Sequence, residues 1–126
     1  MKIVIIVLRV LLGLLFAFAS VAYFFQLFEE PEHTGAMKVF NEGLNASVYL
    51  MPTVKALELI CALAFLSGRF VPLATLIILP IVVNILGVHV FLEPQGLPVA
   101  IFVTIATMVL IWHHRERYKG LLVAKA

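Results

Sequence analysis

Charge and cysteine are both scarce in this sequence, and each shortage excludes something. Only 13% of its 126 residues are Asp, Glu, Lys or Arg, where a soluble domain has about a quarter. The formal net charge is +2, and no Lys/Arg block is backed by an exposed aromatic platform, so nucleic acid is not an expected partner. The single cysteine, Cys61, excludes an internal disulfide, a CxxC redox pair and a cysteine-based zinc site. No nucleophile–base constellation, phosphate loop or metal motif occurs. Independent catalysis by this chain is therefore the least supported activity.

Apolar side chains take the place of charge. Hydrophobic residues make up 63% of the chain, and the mean hydropathy is +1.13. They gather in four runs, residues 3–28, 47–66, 71–91 and 97–112. Each is close to the ~20 residues that cross a ~30 Å hydrocarbon core. Most connections are short, which places consecutive helices side by side and antiparallel. The expected architecture is one all-α integral membrane domain, an antiparallel four-transmembrane-helix bundle. The longer loop, residues 29–46, carries Met37, Phe40 and Leu44 at three- and four-residue spacing. That spacing predicts a short amphipathic helix over about residues 34–44, lying at the outer interface. Thr34 is its candidate cap, and Gly43 sits near its end.

Charge sets the orientation. Lys2, Arg69, Arg115, Arg117, Lys119 and Lys125 fall at the termini and in the second loop, whereas Glu29, Glu30, Glu32, Glu42 and Glu93 fall on the other side. Basic loops stay cytoplasmic, so both termini are expected inside a bacterial cytoplasmic membrane. The opening Met1-Lys2, the apolar run and Ala17-Phe18-Ala19 imitate a signal peptide. Arg9 interrupts that run and the apolar residues continue to Phe28, so the first helix is expected to be retained.

Against this apolar background a few polar groups stand out. Arg9, Lys55 and Glu58 lie inside the expected spans, where a charge costs roughly 2.5–3.5 kcal/mol on insertion scales. Such groups normally face a protein interior and find partners. At 1.5 Å of rise per residue, Arg9 lies ~9 Å, Glu58 ~13 Å, Lys55 ~18 Å, Asn84 ~21 Å and His89 ~28 Å from the inner end of its span. The first four are expected to form one polar layer, with Lys55 and Glu58 an i, i+3 pair. Two cations and one carboxylate leave a surplus positive charge, unless Lys55 is neutral. An anion, a quinone carbonyl or a partner's carboxylate could complement it. The competing structural reading has Arg9 and Lys55 snorkelling to the headgroups while Glu58 bonds a neighbouring helix. Pro80 kinks the third span, and Asn84, four residues on, either partners a freed carbonyl or lines a cavity. Gly13, Ala17, Ser20 and Phe24 form a stripe suited to close helix packing. Tyr23, Tyr49, Trp112 and Tyr118 sit near span ends as interface aromatics do.

The histidines do not point to haem. His89 lies near the outer end of its span and His113 and His114 at the inner end of theirs, so they cannot clamp one haem. His33 could approach His89, with Glu32 or Glu93, but the group matches no metal motif. No metal centre is expected.

The middle of the chain carries a further pattern. Glu58, followed by Leu66-Ser67-Gly68-Arg69-Phe70-Val71-Pro72-Leu73, resembles the junction between the second and third helices of DoxX-like membrane proteins. Pro80-Ile81-Val82-Val83-Asn84-Ile85 through His89 resembles their third helix, and Arg9-Val10-Leu11-Leu12-Gly13 the opening of their first. The resemblance implies a four-helix bundle in a bacterial cytoplasmic membrane. Founding members are linked to the membrane subunit of a thiosulfate:quinone oxidoreductase, and other relatives to redox-stress membrane complexes. The family's polar intramembrane positions correspond here to Arg9, Glu58, Asn84 and His89, while Lys55 has no place in that pattern. Thiosulfate oxidation does not transfer, because this chain lacks a second domain and redox cysteines.

The expected function is accordingly a small subunit or accessory of a quinone-linked redox system, with Arg9, Lys55, Glu58, Asn84 and His89 as its buried polar cluster and quinone as the candidate ligand. The alternatives are a non-catalytic interaction or scaffold subunit of a larger complex, and an accessory to small-solute transport. The expected partners are the lipid bilayer and either another protein or a second copy of the chain.

Overall fold

The computed structural model describes residues 2–27 and 34–124. Five α-helices account for most of them: α1 (Lys2–Phe25), α2 (Gly35–Ala46), α3 (Leu50–Ser67), α4 (Val71–Phe91) and α5 (Leu97–His113). Two 3-10 segments, Pro94–Gly96 and Arg115–Leu122, precede and follow α5. Among the described residues there is no strand. Helices α1, α3 and α4, and α5 together with its leading 3-10 turn, are each long and apolar enough to cross a membrane.

Local chemistry accounts for the helix ends. Gly68 ends α3 in the left-handed region, at φ 75°, and its N–H donates to the Ala64 carbonyl. Glycine adopts this conformation without the side-chain clash that penalises other residues. Pro72 then stands in the first turn of α4, where a missing N–H costs nothing. Ser47 joins α2 to α3, donating through Oγ to the Leu44 carbonyl at 2.6 Å and accepting from the Leu50 N–H at 3.2 Å. Thr34 occupies the N-cap position of α2, but its side chain makes no capping hydrogen bond. Gly43 lies in the last turn of that helix, which runs on to Ala46. With helical backbone dihedrals, Gly43 continues the hydrogen-bond ladder like any other residue.

Helix α1 packs on α3 and α5, and α4 packs on the same two. One core joins them: Leu12 and Phe16 from α1, Cys61, Ala62 and Phe65 from α3, Ala74, Ile78 and Val82 from α4, and Val103, Ala106 and Leu110 from α5. Small residues set the spacing. A Cβ on Gly13 would stand 2.8 Å from Leu66 Cγ and 3.2 Å from the Leu66 backbone nitrogen, so the absent side chain lets α1 touch α3. Ser20 is fully buried on the same face and donates to the Phe16 carbonyl at 2.7 Å. Phe24, by contrast, is 46% exposed. The stripe expected on α1 thus buries Gly13 and Ser20 and leaves Phe24 outside.

The 3-10 segment after α5 folds back against this core. Tyr118 is buried there, not displayed at the surface. Thr75 Oγ1 donates to the Pro72 carbonyl at 2.6 Å, so the Tyr118 hydroxyl supplies the proton for its own 2.6 Å bond to Thr75 Oγ1. The bond ties the C-terminal segment to the first turns of α4. The molecule has two distinct ends. One carries Lys2, Gly68 and His113 and is here termed the basic end. The other, beneath α2, carries Leu50 and His89.

Candidate ligand cavity beneath α2

Three helices each contribute a stripe to one cavity. Met51, Val54, Lys55 and Glu58 recur at three- and four-residue spacing on α3, as do Ile81, Asn84, Ile85 and Val88 on α4. Such spacing places each set on one helix face. Met37, Phe40, Asn41 and Leu44 of α2 lie across the opening. Helix α2 buries none of its residues completely, and its main packing is on α3. It forms a lid held by few contacts. The enclosed volume is about 450 Å³, within the usual range for small-molecule sites.

The wall is mostly apolar, and its polar side chains are Asn41 of α2, Lys55 and Glu58 of α3, Asn84 and His89 of α4, and Glu93 just beyond α4. Lys55 Nζ stands 3.1 Å from Glu58 Oε2, and the two side chains are 18% and 4% exposed. The pair is close but misaligned. Glu58 Oε2 is buried, with Lys55 Nζ at ion-pair distance but off the ideal hydrogen-bond direction and no other donor among the described residues. A buried carboxylate oxygen without an aligned donor is an acceptor open to a ligand hydroxyl or N–H. His89 donates from Nδ1 to the Glu93 carbonyl at 3.0 Å, since a carbonyl can only accept. A neutral imidazole held this way carries its lone pair on Nε2. Its ring lies on Gly96, where a Cβ would collide with Cε1 and stand 2.7 Å from Nδ1. The glycine therefore fixes the ring plane as the hydrogen bond fixes its rotation.

Asn84 lies on the cavity wall, but its amide is committed locally. Nδ2 donates to the Pro80 carbonyl at 2.9 Å. Pro80 itself releases the carbonyl four residues before it, at Leu76. Asn84 does not bond that released group; it doubles the ladder one turn further along.

Arg9 is the displaced member of the expected cluster. It lies at the basic end, its guanidinium against Gly68, where Nη1 would be 2.7 Å from a Cβ. Among the described residues it makes no ion pair, with Glu58 or any other acid. The cause is a register offset. Gly13 stands opposite Leu66. Arg9 is one turn from Gly13 toward the basic end, and Glu58 two turns from Leu66 toward the α2 end. At 1.5 Å of rise per residue the two lie about 18 Å apart along the helices. Counting depth from the ends of the apolar runs treats α1 and α3 as flush, whereas α1 projects beyond α3 at the basic end. Lys55, Glu58, Asn84 and His89 thus line one cavity, and Arg9 lines another.

No group of three His, Cys, Asp or Glu side chains able to hold a metal occurs among the described residues; His33 and Glu32 lie outside them. Compared with protein-family models, curated proteins and solved structures, the chain matches none.

Proposed function

We propose that the chain is an integral membrane protein, an antiparallel four-helix bundle with both termini on the cytoplasmic side, whose cavity beneath α2 takes a quinone or a similar amphiphile for a membrane redox system. The observation that supports insertion is the mismatch between composition and burial. In none of the four apolar spans is more than 28% of the best window buried, and Ile3, Phe18, Phe25, Ile60, Leu63, Phe91, Ile105 and Trp112 all stand exposed. A surface of this kind is stable in hydrocarbon and aggregates in water. The bacterial inner membrane and the orientation rest on the basic end, which holds Lys2, Arg69 and Arg117.

The cavity carries the ligand reading. Its apolar walls suit a ring and an isoprenoid tail. Lys55 Nζ is a donor for a quinone carbonyl, while Glu58 Oε2 and His89 Nε2 are acceptors for the hydroxyls of a quinol. One site then holds both redox forms, and Glu58 is placed to take a proton as a quinol is oxidised. In this reading the chain holds the quinone, and a partner supplies the electron acceptor or donor. The resemblance to DoxX-like proteins points the same way. The test is extraction in native lipid followed by mass spectrometry of bound molecules. Quinone that copurifies with the wild type and is lost in Glu58→Gln supports the reading; protein that carries no quinone and binds none on titration sinks it.

A second reading, an interaction subunit without a ligand, draws on a different feature. An apolar groove of about 540 Å³ runs between α3 and α4, lined in part by Cys61, Ala64 and Ala74 and flanked by Ile60, Leu63 and Leu73. Small residues along a groove let another helix approach closely. Extraction in mild detergent that yields only the isolated chain would count against this reading.

A further inference from the structure

The basic end contains a second cavity, of about 500 Å³, with a different charge. Lys2, Arg9, His113, His114 and Arg117 line it, and among the described residues no acidic one does. Among the described residues none of the five makes an ion pair. Their neighbours do find partners. Lys119 pairs with Glu116 at 2.6 Å. Arg115 donates to the Trp112 carbonyl at 2.9 Å and stacks over the Trp112 ring at 4.3 Å. The cavity thus gathers five basic or titratable side chains with no ion pair among the described residues.

Two features mark the cavity as a built site. Arg9 Nε is buried without a hydrogen-bond partner, an arrangement rare unless something else supplies the acceptor. Its guanidinium is seated by Gly68, whose missing side chain leaves the room. The opening turn of α4, with Val71 and Pro72, also borders the cavity, and no side chain caps that helix. A helix N-terminus adds partial positive charge, and of these two residues Val71 carries a free N–H while Pro72 has none. The crowding registers at His114, whose pKa is held below the ordinary histidine value by burial first, and then by the charges of His113, Arg117 and Arg9.

We propose that this cavity binds a phosphate group, through Arg9, Arg117, Lys2 and the two histidines, and that its occupant is the headgroup of an anionic phospholipid of the adjoining leaflet. Arginine presents planar paired donors that match phosphate oxygens, and basic pockets between helices at the cytoplasmic face are suited to such headgroups. The lipid source rests on the membrane insertion proposed above, whereas recognition of phosphate does not depend on it.

The test uses the full chain in zwitterionic detergent, offered equal amounts of phosphatidylglycerol and phosphatidylcholine, with retention read by native mass spectrometry. Flotation with vesicles checks insertion separately. The expected result is preferential retention of phosphatidylglycerol, reduced roughly tenfold or more in Arg9→Gln and in Arg117→Gln and unchanged in Arg115→Gln, which removes the same charge outside the cavity. Arg117 is exposed, so its variant keeps the test valid should Arg9→Gln fail to fold. A parallel arm offers inorganic phosphate alone. Thermal stabilisation by phosphate without lipid preference, lost in Arg117→Gln, assigns the site to a free phosphate compound. Equal retention of both lipids with no effect of phosphate overturns the proposal, as does a loss in Arg115→Gln as large as in Arg117→Gln.

Discussion

The two cavities are of similar size and lie at opposite ends of the same helices, yet they solve the problem of a buried charge in opposite ways. Beneath α2 a cation and a carboxylate face each other, Lys55 and Glu58 at 3.1 Å, and the walls around them are mainly apolar. At the basic end Arg9 has no acid to meet, and four more basic or titratable groups surround the same space. The first arrangement suits a neutral amphiphile and the second an anion. The two proposed ligands thus differ in charge, and the difference rests on the partner each charge does or does not have.

The largest effect is expected from unbalancing the Lys55–Glu58 pair. Lys55→Met leaves Glu58 buried without its counter-charge and should cost about 3 kcal/mol or more, measured by denaturant titration in mixed micelles. Adding Glu58→Leu should recover most of that loss, because an apolar pair of similar size carries no desolvation penalty. A double variant as unstable as the single one would mean that the pair contributes shape more than charge.

Gly68→Ala addresses the other end. Alanine at φ 75° costs about 1–2 kcal/mol, and its methyl group would displace the Arg9 guanidinium. Stability should fall by that amount and anion retention at the basic end should fall with it, while any ligand beneath α2 stays bound. Loss of both ligands together would show that the two ends are not independent.

Tyr118→Phe removes one hydroxyl and leaves Thr75 still bonded to Pro72. The expected cost is about 1 kcal/mol, with increased proteolysis of the segment after α5 as the second readout. An unchanged protease pattern would show that ring packing alone holds the segment.

The smallest effect concerns pH. His114 has a folded pKa below its unfolded value near 6.5. The unfolded chain therefore binds its proton first as pH falls. Stability from this group is complete above about pH 6.5, declines below it toward the lower folded value and then levels off. His114→Gln should flatten that decline in an unfolding series from pH 7.5 to 5. Phosphate at the basic end should also weaken it, because a bound anion favours the protonated ring.

Much of the helical framework was legible in the sequence. The apolar run at residues 71–91 coincides with α4, and the run from residue 97 with α5, since runs of this length exceed ordinary strands and suit helices. Met37, Phe40 and Leu44 announced α2, and the i, i+3 spacing announced the Lys55–Glu58 pair. Register was not legible. Apolar runs give helix length but not the offset between neighbours, and that offset is set by contacts such as Gly13 on Leu66. Arg9 was misplaced for this reason. The burial of Tyr118 left no signal, because a tyrosine among Arg and Lys looks the same whether it faces headgroups or folds back. Thr75, a lone threonine in an apolar run, was the available hint of a buried polar contact. Thr34 takes the N-cap position of α2 that its residue type suggests, but without the side-chain hydrogen bond, because the position does not oblige the hydroxyl to turn inward.

The central claim is that an amphiphile of the quinone class sits beneath α2, and a photoreactive short-chain quinone tests it most directly. With the protein in native lipid, cross-linked peptides should come from α2 or from the Leu50–Glu58 part of α3, and unlabelled quinone should compete the label away. Label that is not competed, or that falls at the basic end or uniformly along the exposed apolar faces, would contradict the claim.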